Sequence, residues 1–422
     1  MPSPSNRVQI AIIGAGQAGL SVAYALEKKG ITDIAIFEKN RVAHSWREER
    51  WDNFCLVTPN FQCRLPNHPY DGNDPEGFMP KDQIVDYVTR FAQKINAPIH
   101  EGVEVQSVVK ADGLFKITTS IGVWHCDDVV CAIGSFHTPF APAGSDQIPT
   151  NIDQIYATEY KNPEQIPAGE IAVVGSGQSG CQIAEDLHLV GRKVHLFQGN
   201  APRSPRRYRG KDVVAWLEEM GYYKTTFAEH PNQAKALSST NHYLTGRDGG
   251  REIDLRKFAL EGMQLYGYLE SVDATGFRTR PDTKEKLDLA DKSYVGIRDR
   301  IDAYIAEQGI DAPAEPAYIP CWEPEQEITK LDFAASNIST IIWCIGFKPN
   351  FRFIQLEVFN MRGFPVHERG VTAVPGLYFV GLPWMHTWGS ARFSGIAEDA
   401  QHIAKTIHST IENVPEHEYF FV

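Results

Sequence analysis

Six glycines in two sets, Gly14, Gly16 and Gly19 and then Gly175, Gly177 and Gly180, share the spacing G-x-G-x-x-G. Each set ends an apolar run, VQIAII before the first and IAVV before the second, and opens a segment that reads as a helix. In such a turn the first glycine permits the sharp reversal, the second lets backbone approach a pyrophosphate, and the third lets helix and strand pack closely. The helix N-terminus offers the phosphates free N–H groups and a positive dipole end. Gly14, Gly16, Gln17, Ala18 and Gly19 therefore form one candidate phosphate cradle, and Gly175, Gly177, Gln178, Ser179 and Gly180 a second.

The strands beyond the two cradles end differently. DIAIFEKN ends its strand on Glu38, with Lys39 beside it, 38 − 14 = 24 residues beyond the first glycine, where an acid is expected to hydrogen-bond ribose hydroxyls. The device repeats after 175 − 14 = 161 residues, but the equivalent of Glu38 falls on Gln198 or Gly199, neither acidic. A carboxylate there would repel a 2′-phosphate. Its absence, together with Arg203, Arg206 and Arg207 in LFQGNAPRSPRR, favours one, with Arg203 or Arg206 expected to touch it and Arg207 solvated. The first site is thus expected to hold a dinucleotide with a free ribose and the second NADPH, a pairing that suits hydride transfer from nicotinamide to flavin.

Two such units need the room that 422 residues provide, since single cores stop growing at roughly 250–300 residues. The expected fold is α/β with two Rossmann-like dinucleotide-binding domains. A composition 42% hydrophobic and 22% charged is that of a folded chain, and no window is apolar enough to span a bilayer. With 41 basic against 53 acidic residues, the net charge of −12 argues against nucleic acid and anionic membrane as partners. Seven cysteines without a C-x-x-C spacing argue against a disulfide framework, a metal site or a redox dithiol, and read as reduced thiols in a cytoplasmic protein. The opening MPSPSNRVQIAIIGAG lacks an export signal's basic stretch and apolar core.

On these two fingerprints the chain resembles the class B flavin-dependent monooxygenases, the two-dinucleotide-binding-domain flavoproteins that include YUCCA, microsomal-type and Baeyer–Villiger enzymes. VVCAIGSFHTP, with Gly134, and IIWCIGFKPNF, with Gly346, resemble the family's paired crossings between domains. GLYFVGLP, with Gly381, and FSGIAEDAQHIAKTI, with Gly395, resemble its closing strand and helix beside the flavin. A helix from Gly395 would aim its positive end at the flavin pyrimidine. By the same resemblance Trp46 and Arg47 in SWREERWDNFCLVTPN lie near the flavin, and the backbone of Val105 meets the adenine. The resemblance implies an FAD-binding domain made of residues 1–150 and 330–422. An NADPH-binding domain, 151–329, sits between, with helical additions around 208–310 that wall the substrate site.

The implied activity is that of an NADPH-dependent, FAD-containing monooxygenase: NADPH reduces FAD, O2 adds at flavin C4a, and the hydroperoxide passes one oxygen atom to a small organic substrate. Asn60, near an asparagine of the microsomal-type enzymes, and Arg392, in a segment expected beside the flavin, are the candidate catalytic residues; His137 and His386 are expected to be structural. One departure stands out. Where class B enzymes carry F-x-G-x-x-x-H-x-x-x-W/Y, this chain reads IDQIYATEYKN, with Tyr156 at the histidine and Tyr160 at the terminal aromatic. An NADPH oxidase that releases peroxide, or a non-catalytic FAD/NADPH redox sensor, therefore stays open beside the oxygenase, as does a homodimer beside a monomer.

Overall fold

The structure is a computed structural model that describes residues 6–238 and 240–412. The first apolar run forms the strand Asn6–Ile13, flanked in parallel by Ile34–Glu38 and Gly122–Cys131. Ile99–Glu101 extends the parallel side, while Leu114–Thr119 and Val105–Ala111 add an antiparallel edge. Leu377–Phe379 returns from far along the chain to pair in parallel with residues 129–131. Within the first strand Ile10 and Ile12 enter one core and Ala11 and Ile13 another, the period of two expected of a strand covered on both faces. The first glycine helix, Gln17–Glu27, and the closing helix, Ile396–Glu412, pack together over one face.

The second sheet has five parallel strands in the order Asp153–Tyr156, Ile338–Trp343, Glu170–Val174, Val194–Phe197, Gln264–Tyr266. One expectation changes here. Lys330–Asp332 and Ile338–Trp343 hydrogen-bond to this unit, so the boundary expected at 330 moves past the Ile345-Gly346 turn. An apolar strand such as ISTIIW suits either sheet, and only its partners decide. The segment EIDLRKFALEGMQLYG is helical only at Leu255–Leu260, and its end supplies the fifth strand; KSYVGIRDRIDAYIAEQG lies in the long helix Thr283–Gln308.

The two crossings pair with each other, Phe347–Lys348 against Thr138–Pro139. His137 fastens them: its Nδ1 accepts from the Asn350 amide at 2.7 Å, which leaves Nε2 as the donor to the Gly134 carbonyl at 3.1 Å. It is a structural histidine.

The third glycines set how closely each helix approaches its turn. A Cβ on Gly19 would lie 1.9 Å from the Gly14 carbonyl oxygen, and one on Gly180 1.8 Å from that of Gly175. By contrast a Cβ on Gly296, inside the long helix, meets nothing within 4 Å. Gly180→Ala is therefore expected to destabilise the protein by ~1–3 kcal/mol, and Gly296→Ala to stabilise it by ~0.5–1 kcal/mol. Chemical denaturation of the two variants checks both signs.

Candidate dinucleotide sites

The two glycine turns are built alike. Gly14 has φ +103°, its amide donates to the Phe37 carbonyl at 2.7 Å, and a Cβ there would stand 2.9 Å from the Ala132 carbonyl oxygen. Gly175 has φ +106°, donates to the Phe197 carbonyl at 2.9 Å, and its Cβ would stand 2.5 Å from the Cys344 carbonyl oxygen. Each crossing thus leans on one turn, which is why VVCAIG and IIWCIG resemble each other. A Cβ on Gly16 would meet nothing within 4 Å, and one on Gly177 would meet the Thr240 methyl at 3.6 Å. No side chain caps either helix, so the amides at Gln17–Ala18 and Gln178–Ser179 face open cradles of the kind that phosphates fill.

Glu38 stands at the end of its strand, half-buried, with Oε2 accepting from the Ala15 amide at 2.8 Å and Oε1 from the Asn40 amide at 2.9 Å. These bonds hold the carboxylate at the mouth of the first cradle, where it fits a ribose diol. The matching turn bonds make Phe197 the counterpart of Phe37, and hence Gln198, rather than Gly199, the counterpart of Glu38. Gln198 is buried, and both its amide and its Nε2 donate to the Tyr266 carbonyl, at 3.0 and 3.3 Å. The bond that the acid makes in the first fold is replaced by one of opposite direction, the Gly199 amide donating to Ser176 Oγ at 3.0 Å.

The arginines are distributed otherwise than the sequence suggests. Arg203 is 2% exposed and bound to Glu252 at 2.7 Å, Asp254 at 2.9 Å and Asp291 at 3.0 Å, with Tyr318 Oη at 2.9 Å. Burial alone would lower its pKa, but Asp254 and its neighbours hold it above the ordinary arginine value. Arg206, 1% exposed, reaches Asp212 at 2.6 Å and the Val57 carbonyl at 2.7 Å. Both guanidiniums are committed to the chain's own carboxylates and brace the insertion, so the expectation that one of them meets the 2′-phosphate is corrected. Arg207 is the exposed member, donating to the Gly249 carbonyl at 2.9 Å.

Asn60 opens the short turn Asn60–Gln62. It is buried, Nδ2 donating to the Asp74 carbonyl at 2.9 Å and Oδ1 accepting from the Met79 amide at 2.8 Å, so both ends of its amide hold the 74–79 loop. Lys39 is exposed and pairs with Glu104 at 2.7 Å. Val105 begins a strand whose approach is tied to the acid, because the Val103 amide donates to the Glu38 carbonyl at 2.9 Å. Trp46 stacks on Phe393 at 5.5 Å, and Arg47 keeps a buried Nε without a hydrogen-bond partner, an orphan that a bound group would satisfy. Gly134, Gly346 and Gly381 all have positive φ at turns, and a Cβ on Gly395 would collide with Gly389 backbone at 2.5 Å. Tyr156 ends an edge strand against the second core, and Tyr160, wholly buried, donates to Asp186 Oδ2 at 2.7 Å.

Residues without a motif complete the picture. The insertion folds over the segment before the closing helix: Tyr223 lies 4.7 Å from Trp388, the Phe227 amide donates to the His386 carbonyl at 2.6 Å, and His230 meets Trp384 edge-on at 5.1 Å. Arg392 lies over Trp388 at 4.0 Å, its donors taken by the Trp388 and Ser390 carbonyls and by Asn241 Oδ1 at 3.0 Å. No carboxylate contacts it among the described residues, and burial lowers its pKa to about 10. Gln17 Nε2 donates to the Ala391 carbonyl at 3.2 Å, which ties this segment to the first cradle. The closing helix begins at Ile396 and carries in its first turn Asp399, 3% exposed, whose carboxyl burial pushes up to about 7 against the pull of Ser390 and Arg369.

Comparison with known proteins agrees with this construction. Residues 11–278 match the family model described as pyridine nucleotide-disulphide oxidoreductase. An uncharacterized CzcO-like oxidoreductase of Geobacillus kaustophilus is 31% identical over 95% of this chain and 98% of its own. A probable indole-3-pyruvate monooxygenase of Arabidopsis thaliana, YUCCA9, is 30% identical over 48% of this chain and 50% of its own. A flavin-containing monooxygenase from Stenotrophomonas maltophilia shares the fold at TM-score 0.67, with 17% identity over 96% of this chain and 99% of that one. The chain belongs to the pyridine nucleotide-disulphide oxidoreductase family. It is an oxidoreductase whose family implies a flavin and a pyridine nucleotide. No helix among the described residues is long and apolar enough to cross a membrane.

Asp399 makes stability depend on pH. Its folded pKa lies above the ordinary 3.8, so the unfolded chain gives up this proton first and stability falls as pH rises from about 4 to about 7, then levels. Asp399→Asn removes the penalty. The variant is expected to gain ~2–4 kcal/mol on wild type between pH 5 and pH 8, read from urea unfolding at the two values.

Proposed function

We propose that this protein is an FAD-containing, NADPH-dependent monooxygenase that transfers one oxygen atom from O2 to a small organic substrate and reduces the other to water. The observation that carries the reading is the contrast between two matching turns, one ending on the carboxylate of Glu38 and the other on the neutral Gln198. The first suits the free ribose of FAD, and the second tolerates the 2′-phosphate of NADPH. When bound, the flavin would accept hydride from the nicotinamide and react with O2.

The chain's own groups have definable tasks. Glu38 would hold the adenosine ribose, the 16–19 and 177–180 turns the two pyrophosphates, and Val105 backbone the adenine. The aromatic cover of Tyr223 and Phe227 over Trp384 and Trp388 would exclude water, which otherwise diverts oxygen to hydrogen peroxide. Arg392, half-buried and without a carboxylate partner among the described residues, would supply positive charge beside the first cradle as negative charge develops there. Tyr156, in place of the family's histidine, favours one second reading, an NADPH oxidase that releases every oxygen molecule as peroxide.

Anaerobic titration and then oxygen accounting separate the two. NADPH is expected to bleach the visible flavin band at a rate well above that of NADH. In air, with acceptors that include indole-3-pyruvate, the substrate in the names of the YUCCA relatives, peroxide should fall below NADPH consumed, and ¹⁸O from O2 should enter product. One peroxide per NADPH with every acceptor would establish the oxidase.

A further inference from the structure

With Arg203 and Arg206 committed to carboxylates, the second fold needs another cation if it is to receive a phosphorylated ribose. The internal duplication shows where to look. Phe37 and Phe197 are equivalent through the amides of Gly14 and Gly175, so Lys39 and Asn40 correspond to Gly199 and Asn200. In the first fold the ribose acid reaches back to the turn from this strand end. In the second, residues 198–200 occupy the same rim, at the carboxyl end of Val194–Phe197, which is where the adenosine ribose lies in such a fold.

One side chain arrives there from outside the motif. Lys286, in the first turn of the long helix Thr283–Gln308, places Nζ 2.6 Å from Asn200 Oδ1. Its side chain is 11% exposed, with Asp282 at 3.4 Å. That aspartate is shared, its Oδ2 facing the ammonium while its Oδ1 accepts from the Tyr268 amide at 2.8 Å. Among the hydrogen bonds of the described residues, Lys286 is the cation that reaches 198–200. The rim is otherwise neutral: Gln198 is satisfied by Tyr266, and the Gly199 amide by Ser176.

We infer that Lys286, brought by the insertion to Asn200 at the end of the second nucleotide-binding strand, is the specificity-determining cation that receives the ribose 2′-phosphate. The inference rests on the reading of the second fold as the NADPH site and adds the residue that enforces it. A phosphate dianion would displace the amide oxygen of Asn200 from the ammonium and outweigh the single charge of Asp282. Asn200 would then turn its Nδ2 to the phosphate. The sequence carries no sign of this, because Lys286 lies 286 − 200 = 86 residues from Asn200 and only the fold brings them together.

The test uses FAD-loaded, full-length protein and calorimetric titration with adenosine 2′,5′-bisphosphate and with 5′-AMP, which differ only by the phosphate in question. Wild type should prefer the bisphosphate. Lys286→Met should weaken the bisphosphate about tenfold or more, as expected for a lost charge-assisted contact, and leave 5′-AMP unchanged. Lys286→Arg should recover most of the loss, which a merely structural role for the lysine would not explain. An unchanged bisphosphate affinity in Lys286→Met overturns the proposal. If Arg207→Ala carries the loss instead, Lys286 is displaced while NADPH binding stands. If wild type holds both ligands equally, the NADPH reading fails and the role of Lys286 fails with it.

Discussion

Everything at the two sites depends on how closely a helix can begin against the strand that precedes it. Gly19 rests on the carbonyl of Gly14 and Gly180 on that of Gly175, at distances no side chain allows. That approach turns the first amides of each helix into an uncapped cradle and fixes where the neighbouring strand must end. Given the cradle, the proposed choice of ribose turns on the residue at that strand end. Glu38 fills the position in one fold with a carboxylate, and Gln198 fills it in the other with an amide already bound to Tyr266.

The insertion then does two jobs at once. It surrounds Arg203 with Glu252, Asp254 and Asp291 and uses Arg206 to join Asp212 to Val57 in the other unit. Removing one partner from such buried groups is costly, by roughly 3–5 kcal/mol, because the other is left charged and dry. These braces carry the insertion over the segment at 384–392, where aromatic side chains from both units meet around Arg392. The same insertion thus braces itself internally and covers the segment before the closing helix.

Local chemistry was legible in the sequence and long-range pairing was not. Glycine spacing, the apolar runs and Glu38 lie close together along the chain, so the strand, turn and helix they build could be read directly. Asn60 and the arginines could not be read so, because what each does depends on partners far along the chain: Asp74 and Met79 for Asn60, Asp291 for Arg203, Asp212 and Val57 for Arg206. A positive cluster suggested an anion, and the fold supplied the anions from its own carboxylates. The boundary at 330 moved for a related reason, since ISTIIW says that it is a strand and nothing about which sheet will take it.

The proposed assignment of the two nucleotides rests on the acid at the first strand end and its absence at the second. The most direct measurement of that assignment is the affinity of flavin-stripped protein for FAD and for NADP+ in Glu38→Gln. FAD should bind about tenfold or more weakly, as befits loss of a charged hydrogen-bond acceptor, while NADP+ binds as in wild type. Unchanged FAD affinity, or an equal loss for both nucleotides, would contradict it.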